Sequence, residues 1–177
     1  MKKIVFLFVL ALLFHNHKAQ NNYINYGHGF GFQLNQYQND FGIGVHYSSP
    51  VLFNSIGLRL KYNLMFHQHV KDSITTWSPY SNFSFGLVGF AGMVTPGIRI
   101  YGEGGLLLLL PSSAFSSNTL HLGGYGVFGF EFFPYNSFNY FIELGGLGTG
   151  AVADKLPNQP IYSNGFSIST GFRIILP

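Results

Sequence analysis

The amino-acid sequence predicts an all-β protein, an eight-stranded antiparallel up-and-down transmembrane β-barrel. The first observation is alternation: in Gly97–Leu110 the leading aliphatic side chains share one face, whereas Arg99, Tyr101 and Glu103 share the other. The second is composition, since only 8% of the residues are charged, against roughly a quarter in a typical soluble domain. The third is that short turns and long loops alternate along the chain, as in barrels whose strands cross a bilayer.

Residues 1–20 have the organisation of a secretory signal peptide. Lys2 and Lys3 precede an apolar run from Ile4 to Phe14, which is shorter than the roughly 20 residues that a membrane-spanning helix requires. We therefore expect residues 1–20 to be removed on export and residues 21–177 to form the barrel in the bacterial outer membrane. Beyond Gln20 the basic and acidic residues balance, so no surface is expected to bind nucleic acid.

Eight segments alternate between apolar and polar or small residues, and turn residues bound each of them. The expected strands are Asn22–Asn35, Phe41–Tyr47, Asn54–Phe66, Ser81–Val94, Gly97–Leu110, Leu120–Phe133, Phe138–Gly146 and Gly165–Leu176. The fourth has apolar or small residues on both faces, so its inner face is not assigned. The long loops, expected outside the cell, are His67–Tyr80, Pro111–Asn118 and Leu147–Asn164.

With this leader, these strands and these sorted loops, the chain resembles the small eight-stranded outer-membrane barrel proteins of Gram-negative bacteria. The resemblance covers roughly Asn22 to Leu176 and rests on architecture, without a shared sequence motif. It implies an outer-membrane location, contact with outer-membrane lipid and a monomeric barrel. A soluble secreted sandwich is the alternative, and the low charge and the sorted loops both count against it.

Seven charged residues fall on the strand faces opposite the aliphatic side chains and are expected to point into the lumen. They are Arg59, Lys61, Arg99, Glu103, Glu131, Glu143 and Arg173. An eight-stranded barrel is just wide enough for its own side chains, and buried charges have to be paired. We therefore expect an ion-pair network that plugs the lumen, in which Glu131, Glu143 and Arg173 are placed to meet from consecutive strands. The alternative is a polar path for a small solute or a proton-linked gate.

The run Leu106–Leu110 interrupts the alternation. Leu107 and Leu109 are therefore expected to point inward near the long loops. One interpretation is an apolar cap beneath the loops. The other is a small hydrophobic pocket that would accept a lipid or another apolar molecule.

The sequence carries no pattern that identifies an enzyme or a metal protein. A hydrolase set can be assembled from His121, Tyr125, Glu131 and Ser167. Lipid-modifying enzymes of this fold use such residue types, but the Gly-x-Ser-x-Gly nucleophile motif is missing from the sequence. His67 and His69 have the spacing of metal ligands on a strand, but they fall in an expected solvated loop. We therefore expect no enzymatic activity, no cofactor and no metal site.

The sequence favours a structural or interaction role. The barrel would brace the membrane and present its loops, or it would serve as an accessory subunit of a larger envelope complex. A transporter or binder of small apolar molecules is suggested only by Leu106–Leu110. A lipid-modifying enzyme is suggested only by the resemblance.

Overall fold

Eight antiparallel strands close into one barrel, in which each strand pairs with its sequence neighbours and β1 pairs with β8. The computed structural model describes residues 27–52, 55–71 and 74–177. The strands are β1 (His28–Tyr37), β2 (Asp40–Ser48), β3 (Ile56–Lys71), β4 (Ile74–Thr95), β5 (Ile98–Leu110), β6 (His121–Tyr135), β7 (Phe138–Gly148) and β8 (Gly165–Leu176). The predicted fold class is confirmed. The expected leader, residues 1–20, and the expected start of the first strand lie outside the described residues.

The barrel is apolar outside and polar inside, which is the reverse of a soluble protein. On β2, for example, Val45 is 55% exposed on the outer face, whereas the next residue, His46, is 4% exposed on the inner face. The alternation also assigns β4, whose Phe83 and Phe85 point outward and whose Asn82 points inward. Among the described residues, no helix has the length and hydropathy needed to span a membrane.

The segment His67–Tyr80 is not the long solvated loop that its polarity predicted. β3 continues to Lys71 and β4 begins at Ile74, so the segment is a hairpin, with His67 and His69 buried on its inner face. In a barrel with a polar interior, polar residues occur at core positions as well as in loops, and this is why composition misassigned the segment. Beyond His67 the hairpin passes the end of β2 and projects as a two-stranded ribbon.

Glycines on the inner face make room for the tyrosines of the interior. A Cβ atom added to Gly129 would overlap the ring of Tyr101, and one added to Gly86 would overlap the hydroxyl of Tyr125. Both rings thereby have room inside the lumen, where Tyr101 reaches Glu143 on β7 and Tyr125 reaches Glu103 on β5.

The two ends of the barrel differ. One end, here called the lower end, carries the 49–55 loop, two tight turns after β4 and β6, the first residue of β1 and the last residue of β8. The other, the upper end, carries the ribbon and the 111–120 and 149–164 loops. These two loops do not simply project into solvent as expected, because Phe115 and Tyr162 insert into the barrel mouth and are almost completely buried.

Candidate functional site

The polar interior of the barrel is the candidate site, and the inner face of β3 runs through all of its layers. From the lower end upward, alternate residues of β3 are Arg59, Lys61, Asn63, Met65 and His67, and all five are buried. Because successive inward positions on a strand are about 7 Å apart, these residues reach three successive layers of the lumen. The layers are ionic, amide and apolar in that order.

The centre of the ionic layer is a square of two bases and two acids. Arg59 Nη1 lies 2.7 Å from Glu103 Oε2 and 3.1 Å from Glu143 Oε1. Lys61 Nζ lies 2.9 Å from Glu103 Oε1 and 2.8 Å from Glu143 Oε2. Each carboxylate therefore bridges the same two cations, which is the arrangement that buried charges require.

Two tyrosines complete the hydrogen bonding of the square. The Tyr101 hydroxyl donates to Glu143 Oε1 at 2.6 Å, and the Tyr125 hydroxyl donates to Glu103 Oε1 at 2.6 Å. Their rings also lie against the cations, with the Arg59 guanidinium 4.9 Å from the centre of the Tyr101 ring. The square is thus enclosed by aromatic rings.

Below the square, Glu131 gathers the remaining arginines. Its Oε2 accepts from Arg99 Nε at 2.7 Å and lies 2.6 Å from Arg99 Nη2, and its Oε1 accepts from Arg173 Nη1. Arg59 Nη2 is 3.7 Å from the same carboxylate. The structure therefore brings all seven charged residues predicted for the lumen into one connected network. Glu131, Glu143 and Arg173 were expected to meet. Glu131 does pair with Arg173, but Glu143 pairs with Arg59 and Lys61 instead.

The sequence reasoning missed His46, which belongs to the lower part of the ionic layer, around Glu131 and Arg173. Arg173 Nε donates to His46 Nε2 at 3.0 Å, and the imidazole packs edge-on against Phe141. Because it accepts a hydrogen bond from an arginine, this histidine is neutral and fills space in the lumen. The alternation along β2 could have predicted it, since His46 falls on the face opposite to Val45.

An amide layer above the square was also missed. Gln33, Asn35, Asn63 and Asn82 form a chain of hydrogen bonds between 2.8 and 3.0 Å, and the Ser169 hydroxyl donates to Asn35 Oδ1 at 2.8 Å. These side chains come from β1, β3, β4 and β8, so the layer crosses the lumen. Uncharged amides bond to one another here without the desolvation cost of ions, although Gln33 Oε1 and Asn82 Nδ2 have no partner among the described residues.

An apolar layer closes the upper end. Leu107 and Leu109 lie in it with exposed fractions of 2% and 0%, packed among Met65, Phe115 and Tyr162. The residues expected to line a pocket for apolar molecules are thus part of a filled layer. A cavity of about 20 Å³ lies below, bordered by Leu107 and by polar residues, and it has room for about one water molecule.

Asp40 holds the 149–164 loop to this layer. Its Oδ1 accepts from His67 Nδ1 at 2.7 Å, and its Oδ2 accepts from the Tyr80 hydroxyl at 2.6 Å and from the Ser163 backbone N–H at 2.9 Å. Ser163 is in the left-handed backbone region with φ of 49°, which a non-glycine residue adopts only when its surroundings hold it there. The carboxylate thereby ties the 149–164 loop to β3 and β4.

The two upper loops also hold one another. Asp154 accepts hydrogen bonds from the Ser117 hydroxyl and, at 2.8 Å, from the Ser117 backbone N–H. These bonds favour the charged carboxylate and lower the pKa of Asp154. The Lys155 backbone N–H adds a bond of 3.1 Å to the Phe115 carbonyl.

The residues considered for hydrolase chemistry are not brought together as a catalytic set. Tyr125 bonds to Glu103, and Glu131 is engaged with arginines. His121 lies on β6 beside Leu109. Within residues 27–52, 55–71 and 74–177, no group of three or more His, Cys, Asp or Glu side chains could hold a metal ion.

The fold is shared with proteins of the outer membrane. The chain superposes on the N-terminal β-barrel domain of Pseudomonas aeruginosa OprF with a TM-score of 0.58, 13% sequence identity, and coverage of 86% of this chain and 98% of that one. It superposes on the Yersinia pestis outer membrane protein Ail with a TM-score of 0.53, 13% identity, and coverage of 85% and 99%. The chain has the fold of a small outer-membrane barrel. No protein-family model and no curated protein matches the sequence.

Proposed function

We propose that this protein is an integral barrel of the bacterial outer membrane with a structural or interaction role and a closed lumen. The inverted polarity carries the proposal, because an outer wall of exposed aliphatic and aromatic side chains is stable in lipid and unfavourable in water. Residues 1–20 act as the export signal in this proposal, and residues 21–177 form a monomeric barrel. The likeness in fold to OprF and Ail supports the location.

The proposed orientation places the lower end in the periplasm and the upper end outside the cell. Bacterial barrels have short periplasmic turns and longer external loops, and the 111–120 and 149–164 loops are both at the upper end. The strands span 9 to 22 residues, and a tilted strand of about 9–11 residues crosses the hydrocarbon core. The upper parts of β3 and β4 therefore extend beyond the membrane.

The interior supports a sealed barrel in preference to a transporter. The ionic layer, the amide layer and the apolar layer each cross the lumen, and the apolar layer is covered by Phe115 and Tyr162. A solute would have to break buried ion pairs and displace loop residues that Asp40 holds. The chemistry that remains available is recognition at the upper surface.

The ribbon offers exposed apolar side chains at that surface. Val70, Ile74 and Trp77 are exposed on it by 60%, 68% and 49%, and exposed apolar side chains on a projecting element are typical of contact with another protein or with the membrane surface. A role as an accessory subunit of an envelope complex would use this surface. No observation favours a transporter or a lipid-modifying enzyme over this role.

Two measurements on the membrane fraction test the proposal. On an unboiled gel the protein should run as a heat-modifiable band, because a closed barrel resists detergent until it is heated. In planar bilayers the purified barrel should give no stable single-channel conductance. Absence from the outer-membrane fraction would contradict the location, and a steady conductance would contradict the closed lumen.

A further inference from the structure

The lower end of the barrel contains a small cavity with a positively charged lining. The cavity measures about 30 Å³, and its lining includes Arg59, Arg99, Arg173 and Asn139. None of the described residues that line it is acidic. The same three arginines contact Glu131, the one carboxylate that they share. A cavity walled by guanidinium groups favours a negatively charged occupant.

Two side chains of the lining have hydrogen-bonding atoms without protein partners. Asn139 is completely buried and lies opposite Arg173 across the β7–β8 pair. Within the described part of the chain, neither the Nδ2 nor the Oδ1 atom of Asn139 has a hydrogen-bond partner, and the same is true of Arg173 Nη2. The other donors of Arg173 are engaged by His46 and Glu131. Buried polar atoms are almost always satisfied in native proteins, so the two nitrogen donors point to an acceptor inside the cavity, and Asn139 Oδ1 points to a donor such as water beside it.

The charge of the surrounding network indicates the charge of that acceptor. The network has four basic and three acidic side chains, all buried, and therefore an excess of one positive charge. The other buried carboxylate, Asp40, lies in the upper layer and is bonded to His67, Tyr80 and Ser163. One monovalent anion in the lower cavity would balance the network where its positive charge is concentrated.

We propose that this cavity binds one small monovalent inorganic anion of the halide class, chloride in the cell. Asn139 Nδ2 and Arg173 Nη2 donate to the anion. The Ser48 hydroxyl, which accepts from Arg59 Nε at 3.0 Å, has its own proton to donate as well. A volume of about 30 Å³ holds one or two water-sized particles, so a halide fits and an anion as large as gluconate does not. The site goes beyond the proposed function and does not depend on the role of the loops.

Bromide locates the site directly. Crystals of the wild-type barrel grown in bromide should show one anomalous peak between Asn139 Nδ2 and Arg173 Nη2. A cavity filled by water alone under these conditions, without an anomalous peak, would overturn the proposal. This measurement needs no variant.

Urea unfolding of the refolded barrel in detergent tests the same site in solution. At equal ionic strength, replacing gluconate by chloride or bromide should raise the folded-to-unfolded ratio about tenfold, as for a ligand at roughly ten times its dissociation constant. Asn139→Leu should abolish that increase. Asn82→Leu is the matched control, because Asn82 is equally buried but lies in the amide layer, and it should keep the full halide effect.

The variants separate this site from a general salt effect. Equal stability of the wild type in chloride and gluconate would refute the proposal. So would a halide effect of full size in Asn139→Leu. If Asn139→Leu does not refold, the bromide position in the wild type decides the matter.

Discussion

Breaking the ionic square at Lys61 should destabilise the barrel far more than removing an exposed lysine. The Lys61 ammonium lies 2.9 Å from Glu103 and 2.8 Å from Glu143, and at an effective dielectric constant of about 20 one such contact is worth about 6 kcal/mol before desolvation. Desolvation offsets much of this in the intact pair, but Lys61→Met leaves two buried carboxylates to share Arg59. The expected loss is about 3–5 kcal/mol of unfolding free energy.

A double-mutant cycle with Glu103→Gln tests the cause. The single change Glu103→Gln should cost a similar amount, whereas the double variant removes one charge of each sign and leaves the square with one base and one acid. Its loss should therefore be smaller than the sum of the two single losses by about 1–3 kcal/mol. The assay is equilibrium unfolding in urea, read from the mobility of the unboiled band on a gel.

The control for the cycle is Lys155→Met, on the exposed part of the 149–164 loop. It should change the unfolding free energy by no more than about 0.5 kcal/mol. If Lys61→Met cost no more than this control, or if the two single losses simply added in the double variant, the square would not be the coupled, buried network described above.

Three further predictions concern the glycines and the upper loops. Gly129→Ala should destabilise the barrel strongly, because the added Cβ would overlap the ring of Tyr101. Gly126→Ala on the outer face, where no atom lies within 4 Å of the added Cβ, should be neutral in the same urea assay. Equal effects of the two variants would contradict the packing of Tyr101 over Gly129. Asp40→Ala should speed trypsin cleavage after Lys155 while the barrel band persists, and an unchanged cleavage rate would show that the carboxylate does not hold the loop. Because the pKa of Asp154 is lowered, its contact with Ser117 stabilises the loops above about pH 4 and is lost as the pH falls. An acid protease should cleave Asp154→Ala faster than wild type above that pH, and the ratio of the two cleavage rates should approach one below it. A ratio that does not change with pH would refute this role of Asp154.

The alternation of residue types predicted the positions of all eight strands, although not the full length of β3 and β4, and it predicted the inner face of every strand except β4. A period of two assigns each side chain to lipid or lumen, and all seven predicted charges are inside. It does not fix the stagger of strands around the barrel, on which contacts across the lumen depend. Arg59 on β3 and Glu143 on β7 therefore meet as partners that the sequence alone did not identify.

The main wrong prediction concerns polar residues, which occur both in solvated loops and on the inner face of this barrel. In His67–Tyr80 polar residues were expected in solvent, yet His67 and Tyr80 lie inside and bind Asp40. The amide layer was missed for a different reason: its residues lie in expected strands, but only charged residues were selected as candidates for the lumen. The sequence alone does not show that Asp40 is a buried acceptor for His67 and Tyr80. Without that partner, the polar segment could not be assigned to the inner face of two longer strands.

The most direct test of the central claim is the environment of the outer wall. The chain has no cysteine, so single cysteines at Ile43, Val45 or Leu106 can be spin-labelled in the refolded barrel in lipid vesicles. The account predicts that these labels collide with dissolved oxygen and are shielded from a water-soluble nickel chelate, whereas a label at Asn118, in an exposed loop, is accessible to the chelate. Access of the chelate to all four positions alike would show that the apolar wall does not face lipid.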